Sequence, residues 1–548
     1  MIYDLIVVGG GIAGLMAAIE VKSKDPQTKV AVITKGNLFK SNSSMASGGI
    51  NAVLDRDNKN EIQKHIDDTL KGSYGLADKK AVQYMCESGS AIISKLIDYG
   101  VKFDRNKDGD ILQRSFGGGS SKRTCFVGDK TGSAIVQALI KKAKTSGVEF
   151  VVNNFVMNIT KMDNKVSGIV TIRRFDSSIM VYPAKAVILS GGGYAGIFRG
   201  FSTNAPDYTG DMAALALRAG LNLQDMEFVQ FHPTGFIKTS YLVSEAARGE
   251  GGYLVNSNGE RFVDELETRD VVSRAIYQQI QMGQDVFIDL RHLSKEIIAE
   301  KLPSLYKAAM MQAGVDVSCE LLPIKPVAHY SMGGIEANMT KTGIKGLFVC
   351  GECAVNKVHG ANRLGGNSLL EGAVFGELAG KLAYKYIQKK QFLPIDYNVV
   401  VKDQKKVDRI FDHDTTKNFN AMRVTLGKTM FENVGIYTDE KKLTKAFDYL
   451  KYLRREANTL HCMDKGRNNN VELISILELQ NALEVSEAIV LSALERKESR
   501  GSHYRDDYKD TKDEYAHSIY LNELQSNYFK VWMQENNLLS KIRNMLIN

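Results

Sequence analysis

The distribution of apolar residues at the start of the chain predicts a strand, a turn and a helix. Tyr3–Val8 is an apolar, β-branched run, Gly9 to Gly14 follow as a turn, and residues 15–21 have helical composition. Residues 29–33 alternate as a second strand. The first 35 residues therefore predict one βαβ unit of a parallel sheet.

Two later apolar strands also end in glycines. Residues 186–189 lead into Gly191, Gly192 and Gly193, and residues 346–350 lead into Gly351 and Glu352. Three strand-to-glycine junctions so far apart in sequence predict one nucleotide-binding domain that is interrupted by an insertion.

The composition changes near Pro394. Only four of the 48 glycines and none of the eight prolines follow it, and Leu473, Ile476 and Leu477 have helical spacing. This pattern predicts a separate C-terminal helical domain, joined by a charged linker over residues 389–417. The fold class is α/β, with a doubly wound, Rossmann-like domain followed by helices.

Length and charge exclude several classes of protein. The 548 residues are 44% hydrophobic and 24% charged, which excludes wholesale disorder and a single small module. The net charge of +8 comes from scattered basic residues, which favours a solvated surface over nucleic-acid binding. Six cysteines do not predict a disulfide framework, and no apolar run predicts direct membrane insertion or a signal peptide. We therefore expect a cytoplasmic protein.

The first glycine turn carries chemistry. Gly9, Gly11 and Gly14 form GxGxxG between a strand and a helix, where backbone amides and the helix N-terminus favour a pyrophosphate. An acidic ribose ligand is expected at the end of the second strand, but Thr34 and Lys35 stand there.

Residues 41–50, SNSSMASGGI, resemble the flavin loop of the succinate dehydrogenase and fumarate reductase flavoprotein family, whose superfamily also contains L-aspartate oxidase. Further blocks of this resemblance follow in one order: FGG at 116–118, RT at 123–124, DKTG at 129–132, FHPT at 231–234, SE at 244–245, RGEG at 248–251, RD at 269–270, HY at 329–330, HGANR at 359–363, NSL at 367–369 and ESRG at 498–501. The resemblance implies an FAD-binding domain over 1–230 and 330–390, an inserted α+β capping domain over 231–329 and the helical domain over 391–548.

The resemblance implies FAD as cofactor. The implied cofactor residues are Gly9, Gly11, Ile12, Ala13, Gly14, Thr34, Lys35, Ser41, Asn42, Ser43, Ala46, Ser47, Gly48, Gly49, Gly191, Gly192, Asp211, Gly351, Glu352, Arg363, Asn367, Ser368 and Leu369. Respiratory members carry a flavin-bonded histidine where this chain has Asn42, and no histidine precedes His65. Noncovalent FAD is therefore predicted, and fumarate reduction is favoured over succinate oxidation.

The implied substrate is fumarate or succinate, whose two negative charges need fixed cations and donors in a dry site. The resemblance assigns His232, Ser244, His329 and Arg363 to the carboxylates and places Phe116 beside them. It assigns proton donation to Arg269, which is resupplied through Arg248 and Glu245. No metal site is predicted, because Cys350 and Cys353 form a lone CxxC.

Two alternatives remain open. L-aspartate oxidase also lacks the covalent histidine, but its pattern has a glutamate for the substrate ammonium where Phe116 stands. A non-catalytic flavin-binding interaction protein would not need the set of charges that this chain retains. For the favoured reading, the implied partners are an iron–sulfur subunit and either membrane-anchoring or thiol-oxidising subunits, so that membrane association would come through partners.

Overall fold

The computed structural model describes residues 1–412, 417–523 and 529–533. Its strands, in chain order, are β1 (Tyr3–Val8), β2 (Val30–Ile33), β3 (Ile50–Asn51), β4 (Gln113–Arg114), β5 (Thr124–Cys125), β6 (Glu149–Val151), β7 (Asn154–Met162), β8 (Lys165–Arg173), β9 (Ser178–Leu189), β10 (Leu223–Gln224), β11 (Val229–Phe236), β12 (Tyr253–Asn256), β13 (Val286–Asp289), β14 (Leu322–Ser331), β15 (Gly334–Glu336), β16 (Leu347–Val349), β17 (Ala354–Val355), β18 (Ile519–Glu523) and β19 (Phe529–Met533).

The α-helices are α1 (Ile12–Lys24), α2 (Asn42–Met45), α3 (Lys59–Gly72), α4 (Lys79–Glu87), α5 (Gly89–Asp98), α6 (Thr131–Thr145), α7 (Asp211–Arg218), α8 (Ala246–Gly249), α9 (Arg269–Gln281), α10 (Lys295–Lys301), α11 (Pro303–Ala308), α12 (Asn367–Ile387), α13 (Tyr397–Asp412), α14 (Phe419–Val434), α15 (Glu440–Ala457) and α16 (Val471–Glu495).

The main sheet combines a parallel and an antiparallel part. Strands β6, β2, β1, β9 and β16 are parallel neighbours in that order. The first half of the long strand β9 pairs antiparallel with β8, which pairs with β7. Strand β16, residues 347–349, lies beside β9, which ends at residue 189. The main sheet is therefore interrupted in sequence by the residues between these two strands. This is the α/β architecture that the glycine junctions predict.

Helix α12 lies directly on α1, and glycines make that approach possible. A Cβ atom on Gly376 would lie 2.4 Å from the Ala13 carbonyl oxygen, and one on Gly380 would lie 2.6 Å from the Ala17 oxygen. Both glycines lie on one face of α12, four residues apart. Close helix packing therefore fixes the N-terminus of α12 near the glycine turn that precedes α1.

The segment between the two parts of the main sheet forms its own sheet. Strands β11, β14, β13 and β12 pair antiparallel in that order, and α9, α10 and α11 surround a separate apolar cluster that includes Val272, Ile288 and Leu322. Strands β11 and β14 lead into and out of this region. They therefore bring residues of the inserted segment to the edge of the main domain.

The C-terminal region differs from expectation in two places. The charged stretch predicted as a linker contains α13, because Val407, Ile410 and Phe411 recur at helical spacing and are buried. The region is also not wholly helical, since β18 pairs antiparallel with β10 of the main domain and with β19. Within the predicted helical domain, residues 413–416, 524–528 and 534–548 lie outside the described residues.

No helix within residues 1–412, 417–523 and 529–533 combines the length and the apolar composition that crossing a bilayer requires.

Candidate active site

The turn after β1 has the geometry of a phosphate cradle. Gly9 has φ +110°, and a Cβ atom there would lie 2.4 Å from the Ser190 oxygen, while one on Gly14 would lie 2.2 Å from the Gly9 oxygen. Helix α1 begins after Gly11 with no side-chain cap and no acidic residue in its first turn. Ile12 N donates to the nearby Ser43 hydroxyl at 3.3 Å, and the amides that follow it in the first turn can bind an anion. Predicted residues Ile12, Ala13 and Ser43 thus come together here.

A partly buried carboxylate lies close to this turn. Glu352 accepts hydrogen bonds from the amide and the hydroxyl of Ser331 at 3.0 and 3.2 Å through one oxygen. Burial raises the pKa of Glu352 to about 7. Gly351, with φ +70°, approaches Ala13 so closely that a Cβ atom would lie 2.8 Å from the Ala13 Cβ. A partly buried carboxylate therefore lies near the glycine turn, although the end of β2 has none.

The predicted residues Lys35 and Asp211 bind each other. The Lys35 ammonium lies 2.7 Å from Asp211 Oδ2 and 2.9 Å from Glu478 Oε1 of α16. Asp211 also accepts from Asn481 at 2.9 Å. Met212 packs over Gly191, and Tyr208 packs over Gly192. The predicted residue Thr34 donates to the Gly36 carbonyl at 2.7 Å.

The flavin-like loop is a capped turn held against two other segments. Ser41 and Ser44 form a capping box at the start of α2. Asn42 donates through its side chain to Asn204 Oδ1 at 2.5 Å and through its backbone to the Tyr208 hydroxyl at 3.1 Å. The rest of the predicted loop, Ala46, Ser47, Gly48 and Gly49, follows directly.

Helix α12 offers a second free helix N-terminus. It begins at Asn367 after Gly366, with no side-chain cap and no acidic residue in its first turn. The Asn367 side chain is fixed by Asn51 at 2.9 Å and by His65 at 2.9 Å. The first residues of α12, which include Ser368 and Leu369, therefore present backbone donors that suit an electron-rich ring or an anion.

A cluster of buried charges is built around Gln230 of β11. Arg269, the first residue of α9, donates to Glu245 Oε2 at 2.7 and 3.0 Å and to Gln230 Oε1 at 3.0 Å. Arg363 donates to the same Gln230 oxygen at 3.1 Å and to Ser368 at 3.1 Å. Burial and repulsion from Arg269 lower the pKa of Arg363 to about 9. The predicted proton donor and the predicted carboxylate-binding arginine thus share one acceptor.

Glu245 connects this cluster to Arg248. The Gly117 amide donates to Glu245 Oε1 at 2.7 Å, and Arg248 Nη2 lies 4.0 Å from the same oxygen. Although burial opposes ionisation, Arg269 and Arg248 hold the pKa of Glu245 below its ordinary value. Arg248 is fully buried, and its Nε and Nη2 atoms have no hydrogen-bond partner among the described residues. Glu245 is therefore an ionised group between two guanidinium groups.

Two histidines lie beside the cluster on paired strands. The rings of His232 and His329 are 5.2 Å apart, and burial lowers the pKa of both well below the ordinary value. His232 Nδ1 lies 3.2 Å from the Thr234 amide and 3.3 Å from the Thr234 carbonyl oxygen, so Thr234 fixes the position of the ring. His329 Nδ1 lies 2.7 Å from the Thr203 hydroxyl. Both are therefore neutral groups in a cationic region.

The remaining predicted substrate residues, Ser244 and Phe116, lie near Glu245. The Ser244 hydroxyl accepts from the Ala246 amide at 3.3 Å at the start of α8. Phe116 is buried so close to Gly48 and Gly365 that Cβ atoms there would lie 2.7 and 3.0 Å from its ring. A bulky side chain at Gly365 would also meet Glu245. The aromatic ring therefore separates the flavin-like loop from the charge cluster.

Comparisons with known proteins agree with this geometry. Residues 4–369 match the FAD binding domain family, and residues 423–541 match the family described as fumarate reductase flavoprotein C-term. The chain is 38% identical to the succinate dehydrogenase flavoprotein subunit of Rickettsia conorii, over 93% of this chain and 91% of that protein. It is 34% identical to the fumarate reductase flavoprotein subunit of Haemophilus influenzae, over 93% and 90%.

The fold comparison gives the same result. A solved structure of E. coli quinol fumarate reductase superposes with a TM-score of 0.93 at 32% identity, covering 98% of this chain and 97% of that chain. The chain belongs to the succinate dehydrogenase and fumarate reductase flavoprotein family. The resemblance, the fold class, the FAD cofactor and the oxidoreductase class expected from the sequence are therefore confirmed.

The residues of this flavoprotein fit FAD. The glycine cradle before α1 can supply anion donors, the Glu352 carboxylate a hydroxyl acceptor, and the uncapped N-terminus of α12 donors to the ring. The placement of individual cofactor atoms against these residues stays a prediction.

The site residues predicted from the sequence do not include Gln230, Asn362 or Asp270, although the last two lie in the HGANR and RD blocks. Gln230 donates to Asn362 at 2.7 Å, and Asn362 donates to Asp270 at 2.9 Å. Asp270 also accepts from Tyr74 at 2.9 Å and Arg274 at 2.7 Å. One signal was available, because Gln230 is two residues from His232 on a strand.

Proposed function

We propose that this flavoprotein reduces fumarate to succinate, with Arg269 as proton donor. The observation that carries the proposal is the pair of guanidinium groups, Arg269 and Arg363, joined through Gln230 and flanked by two neutral histidines. Two cationic side chains in a buried region suit a dianion, because each charge-assisted bond contributes roughly 1.5–3 kcal/mol. A neutral or cationic substrate would leave this charge without a counterpart.

Each protein group has a distinct role in the proposal. Arg363 would bind one carboxylate in bidentate fashion, and His232, His329 and Ser244 would donate to the carboxylate oxygens. FAD, when bound and reduced, supplies a hydride to one alkene carbon. Arg269 would then give its proton to the other alkene carbon, so that one C–H bond forms from a hydride and one from a proton.

The proton would return through Glu245. This carboxylate is hydrogen-bonded to Arg269 and lies 4.0 Å from Arg248, so the contacts run from Arg269 through Glu245 to Arg248. The Arg269–Glu245 step is a direct hydrogen bond, whereas the Arg248–Glu245 step needs a small movement or a bridging water. Proton transfer along this chain would leave Arg269 charged again after each turnover.

Noncovalent FAD and the direction of reaction are supported by Asn42. Its side-chain amide is occupied by Asn204 and offers no imidazole for a bond to flavin. In the family, the histidine bond accompanies a raised flavin potential that suits succinate oxidation. Acid precipitation should therefore release all of the FAD into solution, and acid-stable flavin in the pellet would contradict this part of the proposal.

The partners remain part of the proposal. Relatives named as flavoprotein subunits are components of larger enzymes. We expect electrons to reach FAD from an iron–sulfur subunit, with membrane-anchoring or thiol-oxidising subunits completing a complex on the cytoplasmic side. Copurification from the native organism under anaerobic conditions, followed by iron and acid-labile sulfide analysis, tests this expectation.

The activity test uses the isolated, FAD-loaded chain with reduced viologen under anaerobic conditions, which makes the natural electron donor unnecessary. Fumarate should oxidise the dye in this assay. In a separate aerobic assay, the protein should release no peroxide when L-aspartate is added. Arg269→Ala should abolish turnover and retain FAD. Arg291→Ala is the matched control, because Arg291 is an exposed arginine of the same inserted segment, paired to Asp289. Near-normal activity of Arg269→Ala would overturn the donor role.

A further inference from the structure

A cavity lies at the junction of α13 with the main domain. It has a volume of about 180 Å³ and is lined by residues of β7, α7, α13 and α16. Phe155, Met157 and Leu477 form its apolar wall. The polar lining consists of Asn158, Arg218, Lys402, Asp403, Lys406 and Asn481. We call it the α13 cavity. It has room for several waters, since a water occupies about 30 Å³ in the liquid.

One side of the α13 cavity is rigid. Arg218 donates to Asn481 Oδ1 at 3.0 Å, to Glu484 Oε2 at 2.9 Å and to Asn158 Oδ1 at 3.2 Å. These bonds occupy the guanidinium edges and fix its position. The charge of Arg218 is largely balanced by Glu484, so Arg218 forms a structural wall of the cavity.

Two other lining groups have hydrogen-bonding capacity to spare. Asp403 accepts from Asn158 at 2.6 Å through Oδ1, but its buried Oδ2 has no hydrogen-bond partner in the part of the chain that the structure describes. The Lys406 ammonium makes no hydrogen bond or ion pair within the same ranges, and burial and Arg218 lower the pKa of Lys406 to about 8. A buried acceptor and an unpaired cation therefore line one small space, three residues apart on α13.

These two groups define the chemistry of a ligand. With Arg218 balanced by Glu484, Lys406 and Lys402 still outnumber the single lining carboxylate of Asp403, so a cation would be repelled. A ligand must accept from Lys406 and also donate to Asp403 Oδ2, because an unpaired buried acceptor costs about 1–3 kcal/mol. We propose that the α13 cavity binds a small anion that carries a hydroxyl donor, either a protonated phosphate or a 2-hydroxycarboxylate.

This site is separate from the proposed reaction and extends beyond it. Arg218 is the last residue of α7 and Asp211 is the first, a separation of about 10 Å along the helix axis at 1.5 Å per residue. Asn481 connects the two, because it donates to Asp211 Oδ1 at 2.9 Å and accepts from Arg218. The α13 cavity therefore lies behind the Lys35–Asp211 pair, where α13 and α16 meet the main domain.

Calorimetric titration of the full, FAD-loaded protein at pH 7 tests the proposal with three probes. Inorganic phosphate and D-glycerate each carry a hydroxyl donor and an anionic group, whereas sulfate is fully deprotonated and only accepts. We expect one of the first two to bind at least tenfold more tightly than sulfate, and the tighter one identifies the source of the anion. Equal affinity for all three, or no binding of phosphate and glycerate, would overturn the proposal.

Variants on α13 locate the binding. Lys406→Gln should weaken the tighter probe at least tenfold, and the matched control Lys405→Gln, an exposed neighbour, should leave it unchanged. Asp403→Asn should reduce the preference over sulfate to less than threefold. Unchanged affinity in Lys406→Gln refutes the site. Should that variant fail to fold, a wild-type crystal soaked in the tighter probe decides: density between Lys406 and Asp403 supports the site, and an empty cavity at saturating probe overturns it.

Discussion

Arg269 and Arg363 donate to the same oxygen atom, Gln230 Oε1, at 3.0 and 3.1 Å. The two side chains come from α9 and from the HGANR segment, which are far apart in sequence. Gln230 is itself fixed, because its amide group donates to Asn362 and to the Arg363 carbonyl at 2.7 Å each. A neutral side chain thus sets the separation of the two cationic groups that the proposed reaction uses.

Gln230→Leu should impair fumarate reduction without loss of FAD. The leucine removes the oxygen that accepts from two buried guanidinium groups, and leaving these donors unpaired costs about 1–3 kcal/mol. The value of kcat/KM should therefore fall about 10- to 100-fold. Gln230→Glu keeps the acceptor but adds a negative charge, and should raise KM more than it lowers kcat. Steady-state assays with reduced viologen measure both.

Gln137→Leu, on the exposed face of α6, is the control for this change. The prediction is wrong if Gln230→Glu changes kcat and KM by the same factors as Gln230→Leu. Gln230 would then have only a structural role.

The pH dependence of fumarate binding should follow an arginine rather than a histidine. His232 and His329 have pKa values well below the ordinary one, so both stay neutral at pH 6–8. The pKa of Arg363 is lowered to about 9, so its charge is present below that pH and is lost above it. KM for fumarate should therefore stay constant from pH 6 to 8 and rise above pH 9.

Circular dichroism and FAD absorbance across the same range show whether the protein stays folded. An inflection of KM near pH 6.5 would contradict the assignment of neutral histidines.

Glu352→Gln should weaken FAD binding at least tenfold. One carboxylate oxygen is taken by Ser331, and the amide of glutamine would replace the other with a donor, so that a ribose hydroxyl would lose its acceptor. A hydrogen bond to a charged group contributes about 1.5–3 kcal/mol. Because the pKa of Glu352 is about 7, wild-type binding should also weaken below that pH as the carboxylate is protonated.

Flavin fluorescence on dilution measures both effects. The matched control is Glu336→Gln, since Glu336 binds Asn222 at 2.7 Å on the neighbouring strand β15. Equal FAD retention in the two variants would contradict the prediction that Glu352 binds FAD.

Gly376→Ala should destabilise the main domain. The added methyl group would meet the Ala13 carbonyl at 2.4 Å and push α12 away from α1. Overpacking of this kind typically costs about 1–3 kcal/mol. The thermal unfolding midpoint should fall and FAD should dissociate more readily. Gly36→Ala is the control, because a methyl group there meets no atom within 4 Å, and an equal fall in both variants would argue against helix contact as the cause.

The sequence predicted the parts of this molecule that depend on local chemistry. Gly9 and Gly14 predict their turn because only a missing side chain permits the contacts that they make. Gln230 was not predicted, because an uncharged amide acquires its importance only when α9 and the HGANR segment meet it. Helix α13 was mistaken for a linker because its polar residues outnumber the few apolar ones that are buried. The pairing of β18 with β10 joins strands almost 300 residues apart, which no local pattern records.

The pairing of β16 with β9 also constrains biosynthesis. A ribosome releases the chain from its N-terminus, so residues 1–189 emerge without one strand of their sheet and without the helix that covers α1. The inserted segment has its own sheet and apolar cluster and can fold in the meantime. The nascent protein can therefore enclose its cofactor only after about residue 387 has left the exit tunnel, when α12 is complete.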